Sequence, residues 1–177
     1  MVPSGFETRV LRAESLRDLA AVRDVLTRVF PTDAEARLVD ALRGRTHPQI
    51  SLVAETRAGE LVGHILFTPV EIRSPSGASK AVGLGPMAVL PEHQRQGVGS
   101  SLVEAGLSAC RAVDEPIVVV LGHPSYYPRF GFEPAWDAGL YYGTPGPNPA
   151  FMVRELERGA LRGASGEVRY HAAFHEL

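Results

Sequence analysis

The chain has little cysteine, little net charge and no long apolar run. Its single cysteine, Cys110, cannot form a disulfide within the chain, which is compatible with a reducing compartment. No apolar run approaches the roughly 18–20 residues that a membrane span needs. Residues 1–10 also lack the charged start and apolar core of a secretory signal. We therefore expect a cytoplasmic protein that does not span a membrane.

The small net charge excludes further classes of partner. A formal net charge of −2 leaves no basic footprint for nucleic acid or for an anionic membrane surface. The six histidines and the lone cysteine show no zinc-ligand spacing, so we expect no metal. With 177 residues, 45% of them hydrophobic, the chain is expected to form one globular domain over residues 1–177.

Hydrophobic periodicity predicts alternating helices and strands. We expect helices at 16–30, at 32–44 and at 97–112, with a short aromatic helical turn within 123–132. We expect strands at 8–12, 50–55, 61–72, 83–90, 117–121, 151–156 and 167–174, with turn-rich connections at 74–79 and 133–150. That order predicts a mixed α/β sheet with a ligand site at the carboxyl end of a central strand.

The most informative segment is the glycine turn, residues 91–100, between a predicted strand and a predicted helix. Gly97 and Gly99 let the backbone approach a ligand without an intervening Cβ, and the start of the helix favours an anion. The turn alone leaves dinucleotides, triphosphates and coenzyme A open. A dinucleotide turn is disfavoured because Leu102 stands where a third glycine is needed. A P-loop is disfavoured because the segment lacks its GK[ST] ending.

Several motifs in order resemble the GNAT superfamily of N-acetyltransferases. Gln94-x-x-Gly97-x-Gly99 is similar to that family's Q/R-x-x-G-x-G/A pattern. Residues 87–92 resemble its bulged central strand, and residues 127–132, Tyr-Pro-Arg-Phe-Gly-Phe, resemble its Y-x-x-x-G-F ending. Residues 151–153 and 168–170 look like the bacterial YhbS-like branch. The resemblance implies a mixed, mostly antiparallel central sheet flanked by helices, with a bulged central strand and a pyrophosphate loop.

The resemblance also implies acetyl-CoA as cosubstrate. Backbone groups of the loop would hold its pyrophosphate, and those of the central strand would bind its pantetheine arm, with Met87 N–H polarising the thioester carbonyl. The residues so implied are Gln94, Arg95, Gln96, Gly97, Val98, Gly99 and Ser100 in the loop, and Met87, Ala88 and Val89 in the strand. The acceptor would be a primary amine of a small molecule or a protein, and a homodimer is compatible with the family.

Tyr127 is the predicted catalytic residue. A tyrosine with a pKa of about 10 can hydrogen-bond to, or protonate, the departing coenzyme A thiolate, whose thiol has a pKa near 8.5. The alternative is a structural tyrosine that packs against Phe130 and Phe132. Pro128 removes an N–H and predicts a short or distorted helix here. Tyr126 points roughly 100° away and is expected to pack or to face the substrate.

No general base is assigned from the sequence. Some members of the family carry a glutamate four residues before the polarising backbone position, where this chain has Gly83. Glu92, His123, His64 and Glu71 are candidates, each with a solvated or structural role as the alternative. The missing glutamate gives weight to a second function, a catalytically silent acyl-CoA-binding or regulatory module on the same fold.

The acceptor is not readable from the sequence. Trp136, Tyr141 and Tyr142 lie in a Pro/Gly-rich loop, where they would form an aromatic lid over the acceptor or simply anchor the loop. Transfer of a longer acyl chain stays open as well, since it depends on the volume beside Met87 and Leu121.

Overall fold

A computed structural model of the chain describes residues 10–176, in which three α-helices flank one mixed sheet of nine strands. The helices are α1 (Leu19–Val29), α2 (Ala34–Leu42) and α3 (Val98–Ala112). The strands are β1 (Val10–Ala13), β2 (Ile50–Glu55), β3 (Leu61–Ser74), β4 (Gly77–Val89), β5 (Ile117–Leu121), β6 (Glu133–Pro134), β7 (Leu140–Tyr141), β8 (Phe151–Glu155) and β9 (Gly166–Arg169).

The strand order places β4 at the centre of the sheet. Strands follow one another as β1-β2-β3-β4-β5-β8-β6, and β9 pairs with the far end of β3 and with β7. Pairing is antiparallel except between β4 and β5 and between β7 and β9. Because β4 and β5 are parallel, a crossover must join them, and α3 supplies it. The expected mixed, mostly antiparallel sheet is confirmed.

The helices cover opposite faces of the sheet. On β3, a Cβ at Gly63 would touch Leu102 and Val98 of α3, so this side of the strand faces α3. His64 is on the opposite face, because side chains alternate along a strand. It lies near Glu14, which pairs with Arg43 at the end of α2. α1 lies beside α2, to which an ion pair between Arg23 and Asp40 links it at 2.5 Å.

Most predicted elements are confirmed, with local corrections. The strands at 50–55 and 117–121 match to the residue. The first helix begins at Leu19, after a 3-10 turn at Leu16–Asp18. The turn predicted at 74–79 is confirmed but is shorter than predicted, because β3 and β4 meet in a tight hairpin between Ser74 and Gly77. Of the strand predicted at 8–12, residues 8 and 9 lie outside the described residues.

The C-terminal strand was predicted too long. Residues 167–174 were expected to be extended, but β9 ends at Arg169 and a 3-10 turn follows at Ala172–Glu176. Beside β3, β9 pairs only as far as Arg169, which lies opposite Glu71, and the chain then leaves the sheet. Across residues 10–176, no helix has both the length and the apolar character needed to cross a membrane.

Candidate active site

The main cavity opens where β4 and β5 separate. Its volume is about 1060 Å³, and its walls come from β4, the glycine turn, the end of β5, the α1–α2 region and the C-terminal segment. The two strands pair in register only from Val82 to Leu84, opposite Val118 to Val120. Beyond Leu84 they diverge. One flank of β4 is therefore left without a paired strand along residues 85–89.

A bulge in β4 shapes that flank. Between Ile65 and Phe67, β3 advances by two residues while β4 advances by three, from Met87 to Leu84. An extra residue bends the bulged strand and re-aims its side chains. Met87 and Val89 line the cavity as a result, whereas Ala88 between them is buried in the core.

The glycine turn leads from β4 into α3. A 3-10 turn at Pro91–His93 opens it, and Gln94 Nε2 donates to Val89 O at 2.9 Å, which ties the turn back to the strand. Arg95 (φ 57°) and Gly97 (φ 83°) both adopt the left-handed conformation. Glycine accepts that conformation readily, which explains Gly97 at the N-cap of α3.

The start of α3 presents free backbone donors to the cavity. The first bond of the helix runs from Ser101 N to Gly97 O at 2.9 Å. The N–H groups of Val98, Gly99 and Ser100 therefore have no acceptor within the helix. Together with the helix dipole they form a site for an anion, and Gly99 and Ser100 lie in the cavity wall.

Gly99 is needed for space, in contrast to Gly97. A Cβ at Gly99 would lie 2.9 Å from Tyr126 Oη, whereas no described atom lies within 4 Å of a Cβ placed at Gly97. Tyr126 therefore directs its hydroxyl at the glycine turn. The guanidinium of Arg129 stacks on the Tyr126 ring at 4.7 Å and its Nε donates to Tyr126 O at 2.9 Å, which fixes that orientation.

Most of the residues predicted to bind the cofactor line the cavity. Those that do are Met87, Val89, Gln94, Arg95, Gly97, Gly99 and Ser100. Within the described chain, Ala88, Gln96 and Val98 are outside the wall: Ala88 and Val98 are core residues, and Gln96 is exposed with Nε2 donating to Glu92 O at 2.9 Å. A purely main-chain contribution from these three stays a prediction.

Tyr127 lies in the cavity wall and is 7% exposed. It begins a 3-10 turn, Tyr127–Phe130, as the proline at 128 led us to expect. Its ring packs edge-on against Tyr126 and Phe132 at centroid distances of 5.1 and 5.6 Å. Burial, and to a lesser extent Tyr126, raises the pKa of Tyr127 above its ordinary value. The hydroxyl is thus a hydrogen-bond donor at neutral pH.

Two of the four candidate bases are remote from the cavity. Glu92 is exposed and pairs with Arg28 at 2.7 Å. Glu71 lies beside β9 at the far end of β3 and pairs with Arg73 at 3.0 Å. Neither carboxylate lines the cavity that residues 10–176 enclose.

A third candidate, His64, belongs to a buried polar cluster. Its Nε2 lies 2.8 Å from Ser51 Oγ and 3.6 Å from Glu14 Oε2, and Ser51 Oγ also donates to Glu14. Burial alone would raise the pKa of Glu14, but the nearby His64 and hydrogen bonds from Ser51 and Arg43 lower it to about 2. This cluster joins β2, β3 and the end of α2, so its role is structural.

The fourth candidate, His123, lies in the cavity wall directly after β5 and is exposed.

At residue 83, where some members of the family carry a glutamate, there is no room for a side chain. A Cβ at Gly83 would come within 2.6 Å of Tyr170 Cε1, so the tyrosine ring occupies the space that a side chain at residue 83 would need.

An aromatic wall, formed by Phe30, Tyr142, Tyr170 and Phe174, also lines the cavity. Tyr170 stacks edge-on against Tyr142 at 5.1 Å and packs on Phe174 at 5.0 Å. Of the three aromatic residues predicted to form a lid, only Tyr142 is found among the described lining residues. Trp136 and Tyr141 lie elsewhere in their loop.

Glu35 is a lining residue that the sequence did not single out. It lies in the first turn of α2, and its Oε2 is buried with no hydrogen-bond partner among residues 10–176. In sequence, an acidic residue at this position reads as a group that stabilises the helix N-terminus. Only the folded chain reveals that it borders the cavity.

Comparison with known proteins points to one family. Residues 11–135 match the family model described as an acetyltransferase (GNAT) domain. The chain is 36% identical over 168 residues to the uncharacterized N-acetyltransferase YhbS of Escherichia coli K12, covering 95% of this chain and 99% of YhbS. It is also 42% identical over 135 residues to the uncharacterized N-acetyltransferase YjhQ of that strain, covering 75% and 73% of the two chains.

Two solved structures are similar over most of their length. The crystal structure of E. coli YhbS in complex with CoA superposes with a TM-score of 0.86 at 36% identity, covering 94% of this chain and 92% of that one. A GNAT family acetyltransferase from Brucella melitensis in complex with acetyl-CoA gives a TM-score of 0.76 at 32% identity, covering 95% and 99%.

Proposed function

Because this chain belongs to the GNAT family of acetyltransferases, we propose that it transfers an acetyl group from acetyl-CoA to a primary amine. The observation that carries the proposal is the cavity between the diverging strands β4 and β5, which has the glycine turn in its wall. Relatives of similar fold were crystallised with CoA and with acetyl-CoA, which supports the same donor here.

The proposed position of the donor follows from the glycine turn and the free flank of β4. Its pyrophosphate binds at the start of α3, where backbone N–H groups lack helical acceptors. Its pantetheine arm then runs beside residues 87–89, along the flank of β4 that β5 has left. The amides of the arm bond to the strand backbone as an added strand would. Met87 N–H donates to the thioester carbonyl and stabilises the oxygen as negative charge develops.

The reaction is a direct acyl transfer. An acceptor ammonium loses one proton to solvent, and the neutral nitrogen attacks the thioester carbon. The C–N bond forms, the C–S bond breaks, and the nitrogen loses a second proton while the thiolate gains one. Each ammonium acetylated thus yields one amide, one free thiol and one released proton. Tyr127, kept protonated by burial, donates a hydrogen bond to the departing thiolate.

A thiol-release assay with acetyl-CoA and a panel of polyamines, aminoglycosides, amino acids and peptide N-termini tests the proposal. Tyr127→Phe should lower kcat by about 10²-fold, the lower end for proton-transfer groups, while the KM for acetyl-CoA stays nearly unchanged. Tyr141→Phe, a tyrosine outside the described cavity wall, is the matched control. Unchanged turnover in Tyr127→Phe would remove Tyr127 from the mechanism.

The alternative function is a silent acyl-CoA-binding module. The specific observation in its favour is the closure of the Gly83 position by Tyr170, which leaves no room for the glutamate base of some relatives. Tight binding of CoA with no thiol release from any amine of the panel would establish the silent module and reject the transferase.

A further inference from the structure

We propose that Glu35 binds the positively charged nitrogen of the acceptor, and that the acceptor is an amine whose ammonium group adjoins an apolar or aromatic body. That the bound amine is an acetyl acceptor rests on the proposed function. The binding site itself stands on the geometry of the cavity.

The first observation is an unpaired carboxylate oxygen. Oε2 of Glu35 is buried at the cavity wall and receives no hydrogen bond from residues 10–176. Oε2 has almost no accessible surface, so a ligand in the cavity meets the remainder of this half-buried carboxylate. Among residues 10–176 the carboxylate has no ion pair, and a partly desolvated charge without a partner is unfavourable. An ammonium group, with three N–H donors and a positive charge, is the partner that this carboxylate lacks.

The second observation is the distribution of charge around the cavity. Among the described lining residues, Glu35 is the only carboxylate, whereas Arg95 belongs to the glycine turn and Arg129 is stacked on Tyr126. The cavity thus has cationic groups and free N–H donors where a phosphate would bind. It has an anionic group on α2. The glycine turn is suited to an anionic substrate, and the region around Glu35 is suited to a cationic one.

The third observation is the aromatic wall. Tyr170 lies at 5.1 and 5.0 Å from Tyr142 and Phe174, and Phe30 completes the wall near α2. The C-terminal 3-10 turn that carries Phe174 packs against α2, which brings Glu35 and the rings to one region. Aromatic faces attract cations and bury apolar groups. The site therefore favours an arylalkyl or alkyl ammonium over an acidic or highly polar acceptor.

A calorimetric titration tests the binding claim without turnover. The ligands are 2-phenylethylamine, which is charged at pH 7, and 2-phenylethanol, its uncharged counterpart, each added to the CoA-bound protein. The wild type should bind the amine about 10- to 100-fold more tightly, as expected for one charge-assisted hydrogen-bonded pair. Glu35→Gln should remove that preference. Glu104→Gln, the same change on the exposed face of α3, should retain it.

Steady-state kinetics supply the second readout. Glu35→Gln should raise the KM for 2-phenylethylamine about 10- to 100-fold, with kcat within a few-fold and the KM for acetyl-CoA unchanged. A merely structural role for Glu35 would instead lower the unfolding temperature and affect both substrates. Equal preference for the amine in wild type and Glu35→Gln, or no preference in the wild type, would overturn the proposal.

The two proposals fail separately. If the wild type releases no thiol with any amine, the transferase is rejected, and the titration still decides the role of Glu35. If turnover is found but Glu35→Gln leaves the KM for 2-phenylethylamine unchanged, the transferase stands and Glu35 is rejected as its binding residue.

Discussion

The two glycines of the glycine turn should respond oppositely to substitution by alanine. Gly97 is needed for its conformation, since its φ is 83° and a Cβ there would meet no described atom within 4 Å. Gly99 has no such constraint, but a Cβ there would lie 2.9 Å from Tyr126 Oη, at the wall where we place the pyrophosphate. Stability and ligand binding should therefore separate between the two variants.

The expected magnitudes follow from these geometries. An L residue in the left-handed conformation costs about 1–2 kcal/mol, and each kcal/mol shifts the Tm of a chain this size by about 2–4 °C. Gly97→Ala without ligand should thus melt about 2–8 °C below wild type. Gly99→Ala gains less than the roughly 1 kcal/mol of helix propensity expected in a helix interior, because Gly99 lies in the first turn, and displacement of the Tyr126 hydroxyl offsets that gain. Its unliganded Tm should therefore lie close to the wild-type value.

Gly99→Ala should weaken the binding of CoA. At a CoA concentration of 100 times the wild-type Kd, ligand stabilises the wild type by about 2.7 kcal/mol. We expect the Cβ at Gly99 to weaken binding at least about tenfold, because it keeps the pyrophosphate from the N–H groups. At the same CoA concentration the stabilisation then falls to about 1.4 kcal/mol, half the wild-type value.

Differential scanning fluorimetry with and without CoA measures both quantities, and calorimetry checks the Kd. A Gly97→Ala variant with wild-type Tm would refute the argument from backbone strain. A Gly99→Ala variant with the full ligand-induced shift and an unchanged Kd would show that the pyrophosphate does not approach this residue.

Three further outcomes are expected. Because the folded pKa of Glu14 lies at about 2, below its ordinary value, its stabilising effect is complete above about pH 4.5 and is lost as the pH falls towards 2. Glu14→Gln should lower the free energy of unfolding at pH 7 by up to about 3 kcal/mol. Urea titrations across acid pH should also show a weaker pH dependence than the wild type, and an unchanged pH dependence would contradict the stabilising role of Glu14. Gly83→Ala should lower the free energy of unfolding by about 1–3 kcal/mol, because the added Cβ overpacks against Tyr170. The same substitution in a Tyr170→Ala background should lower it by less, and an equal decrease in both backgrounds would exclude that contact. Burial raises the pKa of the Cys110 thiol to about 12, so a disulfide reagent at pH 8 should label it only in denaturant, and rapid labelling of the native protein would show that it is accessible.

The central half of the fold could be read from local sequence. The strand at 117–121 is an apolar run, the strand at 50–55 is mostly apolar with Ser51 and Glu55, and local pattern decides such segments. The segment at 167–174 could not be read this way. Val168, Tyr170 and Phe174 have the even spacing typical of a strand. The end of β9 at Arg169 depends on tertiary structure, because β9 is paired with β3 only along Glu71–Arg73.

The same distinction applies to the site. The glycine turn and Tyr127 carry local motifs, so their positions in the cavity wall were predictable. Glu35 has no local signal, because an acidic residue in the first turn of a helix is ordinary. Its exposure to the cavity depends on the C-terminal segment, which folds back against α2 from more than a hundred residues away.

The walls of the cavity also differ in how they can evolve. The donor region comes largely from one continuous stretch, residues 84–100, where a change in backbone path would disturb acetyl-CoA. The opposite region is assembled from the α1–α2 segment, Tyr142 and the C-terminal segment, which are distant in sequence. Under the proposed function, mutations in these pieces would alter the acceptor and leave the donor region unchanged. Acceptor preference would then be free to change through one short segment at a time.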